Sequence, residues 1–528
     1  MLQLQNLENA KRSVENYDPT TFGNAANSYR FFLSQIIVND FRHIHNLDLT
    51  FNHPITVISG TNKIGKTSLL LIIACSHENF QKYDSTKPIT TLRRHLWRDV
   101  FTFTSLESAT RSYSYTLHWR VGNDNRQGTG RRAAASQSWT GLGKASNDVN
   151  RINAKIRDKQ VRLIDLDRLL PARNFSNSLK SKINIAGRTR LHEEIEQAFN
   201  YIFENVPAVE IHRIGSHINK TAYLLSPIAV PPAVSEPYSS FNAASGEESL
   251  INILVDIFET PNDSLVMIDE LEAGIHPNVQ RRLADIIQYI SWHHKKQFVI
   301  TTHSPTLLSS FPQKSRKFID KKINGDFEVI SSISVNAAFS KMDSQAYPLV
   351  YLYCEDTEAE FIIKNFLIKI NQTKKHFDKL VNIIISGPID QVKNDYLRHK
   401  RNYRSMRLKT GFCCIFDGDH VSHPHYSLYH QNPDEFTFFL YPYTAPEKFL
   451  VSAYLNVHPN PQLYTALVNS DHHALFQEMV NLGLAVDRSY ARLLCWQAFE
   501  MTPEYTQLEV DLTEFLLSVV THFSRLSD

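Results

Sequence analysis

Residues 55–67 read Ile55-Thr56-Val57-Ile58-Ser59-Gly60-Thr61-Asn62-Lys63-Ile64-Gly65-Lys66-Thr67, an apolar run that breaks into a glycine-bounded turn. Residues 68–74 continue as an apolar, helix-like stretch. Strand, glycine turn and helix start in that order form the setting of a phosphate-binding loop. Gly60 and Gly65 let the backbone wrap closely enough to aim several N–H groups at one anion, and Asn62, Lys63 and Ser68 complete the cradle. The helix start adds the positive end of its dipole. Lys66 supplies charge to the outer phosphates, and the Thr67 hydroxyl is a natural Mg²⁺ ligand. The segment predicts binding of ATP with Mg²⁺.

The chain has 528 residues, 42% of them hydrophobic and 21% charged, which fits folded material of two to four domains. A net charge of +2 says little about partners, but its distribution says more. Residues 121–190 hold 15 Lys+Arg against 5 Asp+Glu, and residues 393–409 form a second basic stretch. These regions, Arg126 to Arg190 and Lys393 to Lys409, suit nucleic acid phosphates; a solvated face balanced by acids elsewhere is the plainer alternative. Five cysteines without a C-x-x-C pair suggest buried thiols in a reducing compartment. Residues 1–10 lack an apolar signal core, and no apolar run reaches the ~18 residues of a membrane span. The expectation is a cytoplasmic protein without membrane association.

Along the chain, residues 1–27 read as a loose leader or small capping helix. Residues 32–50 predict two strands joined by a turn, and residues 101–121 another strand. Residues 123–147, rich in Gly, Ser, Asn and Arg, read as an exposed, mobile insertion. Residues 150–170 show helical spacing in Ile152, Ile156, Val161, Ile164 and Leu166. Residues 227–237 are a proline-rich break, so a basic helical insertion is expected around 123–240. Residues 250–302 predict helix, strand, helix, strand, and a charged link over 314–326 leads to a weak strand. A second series follows, with strands at 349–353, 381–385 and 412–416 and helices at 357–370 and 389–406. This alternation predicts an α/β fold, with a first domain over 28–342 and a second, mainly parallel, over 343–528.

The first domain carries a second chemical signature. Leu265-Val266-Met267-Ile268-Asp269-Glu270 is an apolar strand ending in two acids, and Thr301-Thr302-His303-Ser304-Pro305 ends another. Asp269 can hold Mg²⁺ through water, and Glu270 can orient an attacking water. The set resembles the ABC-type ATPase heads of SMC and recombination proteins, a mixed sheet with helices. Residues 269–277, D-E-L-E-A-G-I-H-P, are similar to their D-E-P-E-x-G-L-H-P segment. By that resemblance His303 is the switch histidine sensing the γ-phosphate, and Ser245-Gly246 belong to the signature loop. A plain helix N-cap at Ser245 explains those two equally well. The resemblance implies a head-to-head homodimer, or a higher oligomer, sharing two nucleotides.

The second domain presents acids at strand ends. Glu355 and Glu358 follow the first strand, and Asp417 and Asp419 follow the third. Oxygen-only ligands favour Mg²⁺ or Mn²⁺ and suit phosphodiester chemistry; turn chemistry is the bland alternative for any one of them. The set resembles a Toprim domain, a doubly wound and mainly parallel sheet. Together with the head it is similar to the OLD (overcoming lysogenization defect) nucleases, the Gabija nuclease and OLD-type retron effectors. The resemblance assigns Glu355, Asp417 and Asp419 to catalysis and metal binding, with Glu358 and Glu447 as further ligands. Glu358 stands three residues after Glu355, where the family has an acid at four. The family's late lysine is filled by Lys448 or absent, since no lysine follows it. His420, His423 and His425 form an H-x-x-H-x-H that can bind zinc or lie solvated, and His420 can alternatively contact the scissile phosphate.

The expected function is therefore an ATP-regulated, divalent-metal-dependent nuclease cleaving DNA as an antiphage effector. A reverse transcriptase with its DNA–RNA product is one defence partner the resemblance implies. Two alternatives stay open: cleavage of RNA such as tRNA, and a non-cutting ATPase scaffold that holds and releases a partner.

Overall fold

The computed structural model describes residues 4–18, 29–83, 92–94, 97, 111–134, 136, 139–142, 156–170, 174, 176–205, 207–217, 220–228, 236–321, 325–342, 348–374, 377–403, 410–431 and 436–525. The chain divides into two compact units, Met1–Ile333 and Ser334–Asp528. The division thus precedes residues 343–348, where the sequence suggested it. The helix Val335–Met342 packs on the one-turn helix Phe377–Leu380, and the Ser334 N–H donates to the Ser524 carbonyl at 2.9 Å.

The first unit is built on an eight-stranded sheet. Its order is Phe327–Ser331, Arg316–Lys321, Ile55–Gly60, Gln297–Thr301, Leu265–Ile268, Ile156–Ile164, His77–Tyr83, Leu92–Arg94. The six inner strands run parallel, and the two edges are antiparallel. Ile55–Gly60, Leu265–Ile268 and Gln297–Thr301 are buried at every position, the pattern of strands covered on both faces. The expected helix–strand–helix–strand order appears as Ser245–Glu259, Leu265–Ile268, Pro277–His293 and Gln297–Thr301.

Several expectations are corrected. Residues 156–164 form an inner strand, not a helix. The charges that resemble a solvated helix face have internal partners. Lys159 is fully buried with its ammonium on the Phe31 carbonyl at 3.0 Å, and Arg162 pairs with Asp256. The charged link over 314–326 holds the strand Arg316–Lys321, inserted beside Ile55–Gly60. The presumed mobile insertion forms strands Asp124–Arg132 and Trp139–Gly141. They extend a five-stranded antiparallel sheet of Ile44–Thr50, Phe31–Phe41 and Tyr113–Val121. Its glycines are chosen for room: a Cβ on Gly130 would lie 2.4 Å from the Tyr115 ring. Trp139 is buried and stacks on Trp97, with centroids 4.0 Å apart. The rest of the described insertion mixes a sheet, in the order Thr189–Arg190, Val209–His217, Lys220–Pro227, Tyr238–Ser239, with the helices Ser176–Lys180 and Glu193–Phe203. Residues 101–110, 143–155 and 229–235, on which parts of these expectations fall, lie outside the described residues. So do residues 19–28 of the expected leader; before them, Leu4–Glu15 is a helix packed on Pro277–His293.

The second unit has a four-stranded, wholly parallel sheet in the order Val381–Ile385, Val350–Cys354, Gly411–Phe416, Thr437–Phe439. Helices Thr357–Thr373 and Ile389–Asn402 follow the first two strands in the chain. Five further helices run from Pro446–Val457 to Pro503–Arg525. Parallel pairing puts the ends of Val350–Cys354 and Gly411–Phe416 side by side, at the edge where doubly wound sheets collect functional groups.

Buried side chains tie the two larger sheets of the first unit together: Lys159 on the Phe31 carbonyl is one, and Gln297 is another. Gln297, fully buried, donates to the Leu33 carbonyl at 2.8 Å and accepts from its N–H at 2.9 Å. Gln297→Ala leaves both backbone groups unpaired in a dry interior and is expected to destabilise the fold by about 2–4 kcal/mol. Denaturant unfolding of the variant against the parent measures this.

Candidate functional site

The phosphate loop is shaped by close contacts. Gly65 has φ +98°, and a Cβ there would lie 2.7 Å from the Ile44 side chain; at Gly60 it would lie 2.7 Å from the Ile319 carbonyl. The helix Lys66–Ser76 begins directly after Gly65. The Lys66 ammonium donates to the carbonyls of Gly60 at 2.9 Å and Thr61 at 3.2 Å, folding back over the loop. Burial pushes its pKa down to about 8, opposed by Glu270, Asp269 and Glu272. Asn62 and Lys63 are exposed at the turn, and Ser68 is half-buried on the first helical turn.

Opposite the loop, Asp269 is buried and accepts two hydroxyls. The Thr67 hydroxyl reaches one carboxylate oxygen at 2.8 Å, and the Thr301 hydroxyl reaches the other at 2.6 Å. Thr301 in turn accepts the Glu270 N–H at 2.8 Å. Glu270 sits at φ +45°, a conformation most side chains avoid. Glu272 accepts from the Thr302 hydroxyl at 2.7 Å and the His303 N–H at 2.5 Å. Burial lowers the His303 pKa, and Lys66 lowers it further. The site therefore brings together Lys66, Thr67, Asp269, Glu270 and His303. It adds Thr301 and Glu272, which stood unassigned inside the quoted motifs.

One site residue had no sequence signal. Arg168, on the short turn Leu166–Leu169 after the Ile156–Ile164 strand, donates to the carbonyls of Asp269 at 2.9 Å and Glu270 at 2.6 Å. Burial lowers its pKa, opposed first by Asp269. Its segment was read as helix, which hid its position. Ser245 and Gly246 open the helix Ser245–Glu259, but Ser245 is not its N-cap. Ala244 precedes the helix, and Glu247 accepts the Ala244 N–H at 2.9 Å. A Cβ on Gly246 would lie 3.2 Å from the Gly274 carbonyl, so the helix start lies against the 269–277 segment.

In the second unit the acids converge in part. The Asp417 N–H donates to Glu355 at 3.0 Å. The His420 imidazole lies 3.7 Å from Glu355 and 3.6 Å from Asp419. Burial pushes Glu355 up to about 7, with Asp419 and Asp356 adding to the rise. Burial raises Asp417 well above the usual carboxylate range, helped by Glu355, and one buried Asp417 oxygen has no hydrogen-bond partner. Oxygen-only donors held as mutually repelling, desolvated acids fit a hard divalent cation. Glu358 is placed differently: Arg492 holds both its oxygens at 3.3 Å. Glu447 is buried and meets His473 at 3.0 Å. Among the described residues, the group whose ligand atoms all lie within 4.8 Å of one another is Glu447, His472 and His473, not the 355/417/419 set or the 420/423/425 triplet. His423 and His425 are exposed, with rings 5.4 Å apart. Lys448 lines a separate cleft with Tyr441, Phe449, Ser452 and Asn456.

The basic stretches are used in part inside the fold. Arg132, Lys159 and Arg168 are buried, Arg162 pairs with Asp256, and Arg190 pairs with Glu196 and Glu210. Arg131, Lys180, Lys182 and Arg188 remain exposed. Lys393 lies 5.0 Å from the Tyr426 ring centre, Arg398 pairs with Asp395, and residues 404–409 lie outside the described residues.

Residues 55–309 match the family model described as "AAA domain, putative AbiEii toxin, Type IV TA system". The "Retron Vc95 probable ATPase" of Vibrio cholerae serotype O1 biovar El Tor is 27% identical over 131 residues, 21% of this chain and 25% of the relative. The chain thus matches about a quarter of that relative's length. Among solved structures, an SMC head domain from Thermotoga maritima aligns with TM-score 0.35 and 12% identity, over 57% of this chain and 98% of that one. An SMC head bound to the C-terminal winged-helix domain of ScpA aligns with TM-score 0.37 and 12% identity, over the same shares. The first unit carries an ATPase domain. No helix among the described residues is long and apolar enough to cross a membrane, and all five cysteines are buried and free.

Two predictions follow from these geometries. Arg168→Ala frees the Asp269 and Glu270 carbonyls, and steady-state assays should show ATP turnover falling on the order of 100-fold with little change in nucleotide affinity. Glu355→Gln addresses the second unit. The folded pKa of about 7 lies above the ordinary 4.5, so the wild type loses stability as pH rises through that window. In chelator-treated protein the variant should be about 1–3 kcal/mol more stable than wild type at pH 8 and equal to it at pH 4, by denaturant titration.

Proposed function

We propose that this chain is an ATP-regulated, divalent-metal-dependent nuclease that cleaves DNA in defence against phage, with a Toprim-type second unit. The observation that carries the reading is that Glu355 accepts the Asp417 N–H and lies beside His420, which also lies beside Asp419, at the ends of adjacent parallel strands. A buried Asp417 oxygen without a protein partner and the raised carboxyl pKa values support a cation there. Glu355, Asp417 and Asp419 would hold Mg²⁺ or Mn²⁺, which supplies an activated water and steadies the leaving oxygen. Glu447, whose charge acts on Asp417, stands beside that set. His420 sits between two carboxylates and can carry a proton to the phosphodiester oxygen.

In the ATPase unit, Thr67 and Asp269 would hold the nucleotide's Mg²⁺, Lys66 the outer phosphates, and Glu270 the attacking water. His303, tied through its N–H to Glu272, is placed to report the state of the terminal phosphate. Ser245 and Gly246 belong in this reading to a surface offered to a second copy. The defence context is supported by the matched family and relative, described as a toxin-system AAA domain and a retron ATPase. The reading puts the protein in the cytoplasm.

The test is purified full-length protein incubated with plasmid, single-stranded DNA and tRNA, with Mg²⁺ or Mn²⁺, with and without ATP. DNA cleavage is expected, reduced at least about 1,000-fold by Asp417→Asn. Lys66→Ala should abolish the ATP effect. Cutting of tRNA alone overturns the DNA assignment. Unchanged biological function in Asp417→Asn with loss in Lys66→Ala overturns the nuclease and leaves a scaffold.

A further inference from the structure

Glu447 stands in the first turn of the helix Pro446–Val457, with its side chain only 3% exposed. One carboxylate oxygen lies 3.0 Å from His473 Nδ1; the other is buried with no hydrogen-bond partner. A desolvated carboxylate oxygen without a partner costs free energy that folded proteins rarely leave uncompensated. His472 and His473 lie on the one-turn helix His472–Ala474. Asp471 fixes that turn by accepting the His473 N–H at 3.0 Å, and Arg488 donates to the His473 carbonyl at 3.2 Å. The two imidazole rings are 4.0 Å apart, and their ligand atoms lie within 4.8 Å of each other and of Glu447. Asp471 also lies 3.6 Å from His472 Nδ1, outside hydrogen-bond distance but near enough to favour that ring electrostatically. His472 and His473 are 32% and 62% exposed, so an ion can enter from solvent.

We infer that Glu447, His472 and His473 form a site for one nitrogen-preferring divalent cation of the Zn²⁺ class. A Glu–His hydrogen bond alone uses one oxygen and one ring; it leaves the second oxygen orphaned and gives the second imidazole nothing to do. A cation answers all three groups. Two imidazoles and a carboxylate suit Zn²⁺ or Co²⁺ over Mg²⁺, and three protein ligands leave a fourth position open. The site is chemically distinct from the oxygen-only set, and it stands whether or not that set cuts nucleic acid. Its occupation would fix the Glu447 carboxylate, whose charge acts on Asp417.

The experiment uses full-length protein stripped with chelator and titrated with Co²⁺ by visible absorption, with Zn²⁺ as competitor. One Co²⁺ per chain is expected, with the intense bands of a four-coordinate nitrogen/oxygen site, displaced by Zn²⁺. His472→Ala with His473→Ala should remove the bands; His473→Gln, a milder exposed change, should weaken binding at least about 10-fold, and Asp471→Asn about 10-fold. A Glu355→Gln, Asp417→Asn double variant should keep the bands while losing any Mg²⁺-dependent cleavage. Absence of Co²⁺ binding in the wild type overturns the inference. So does undiminished affinity in both histidine variants, or loss of the bands in the Glu355/Asp417 variant alone. Absence of cleavage by the wild type with Co²⁺ bound sinks the nuclease reading and leaves this site standing.

Discussion

The Asp269 carboxylate is the constraint around which the first unit is arranged. It is buried at the end of an inner strand, where an ionised group is tolerated only with its oxygens satisfied. Thr67 reaches it from the phosphate loop and Thr301 from the neighbouring strand. Those two hydroxyls hold three chain segments, far apart in sequence, at one point. Glu272 repeats the device one layer out by gripping Thr302 and the His303 backbone. Glu270, whose N–H is held by Thr301 and whose carbonyl is held by Arg168, sits in a left-handed backbone conformation. Strain of that kind persists where the surroundings over-determine it.

The second unit rests on the opposite electrostatic logic. Asp417 is buried beside the half-buried Glu355, and burial is the leading cause that raises the pKa of both. The protein alone therefore does not favour both of them as anions. Glu358, half-buried, differs in its partner: desolvation raises its pKa too, but Arg492 opposes the rise and holds both its oxygens.

What the sequence disclosed follows from locality. Residues 55–76 and 245–301 carry their information in runs of apolar residues bounded by glycine or acids, so their strands, their helices and the candidate cluster of Lys66, Thr67 and Asp269 were legible. The parallel series 350–416 was legible for the same reason. Residues 156–164 were not, because their charges mimic a solvated helix face, and only the fold shows Lys159 and Arg162 turned to internal partners. Residues 124–132 were missed because glycines that accommodate an aromatic neighbour look the same in sequence as glycines that permit motion. Arg168, Arg492 and His473 act across 101 to 134 positions of chain, or, for His473, through a helix pair; no local pattern encodes such meetings.

Gln297 stands at one end of the strand whose other end carries Thr301. Its amide imitates a peptide group, so the antiparallel sheet is stitched to the strand that also bears the Thr301 hydroxyl held by Asp269. The wide antiparallel surface and the Asp269 cluster are thus tied to opposite ends of one five-residue strand.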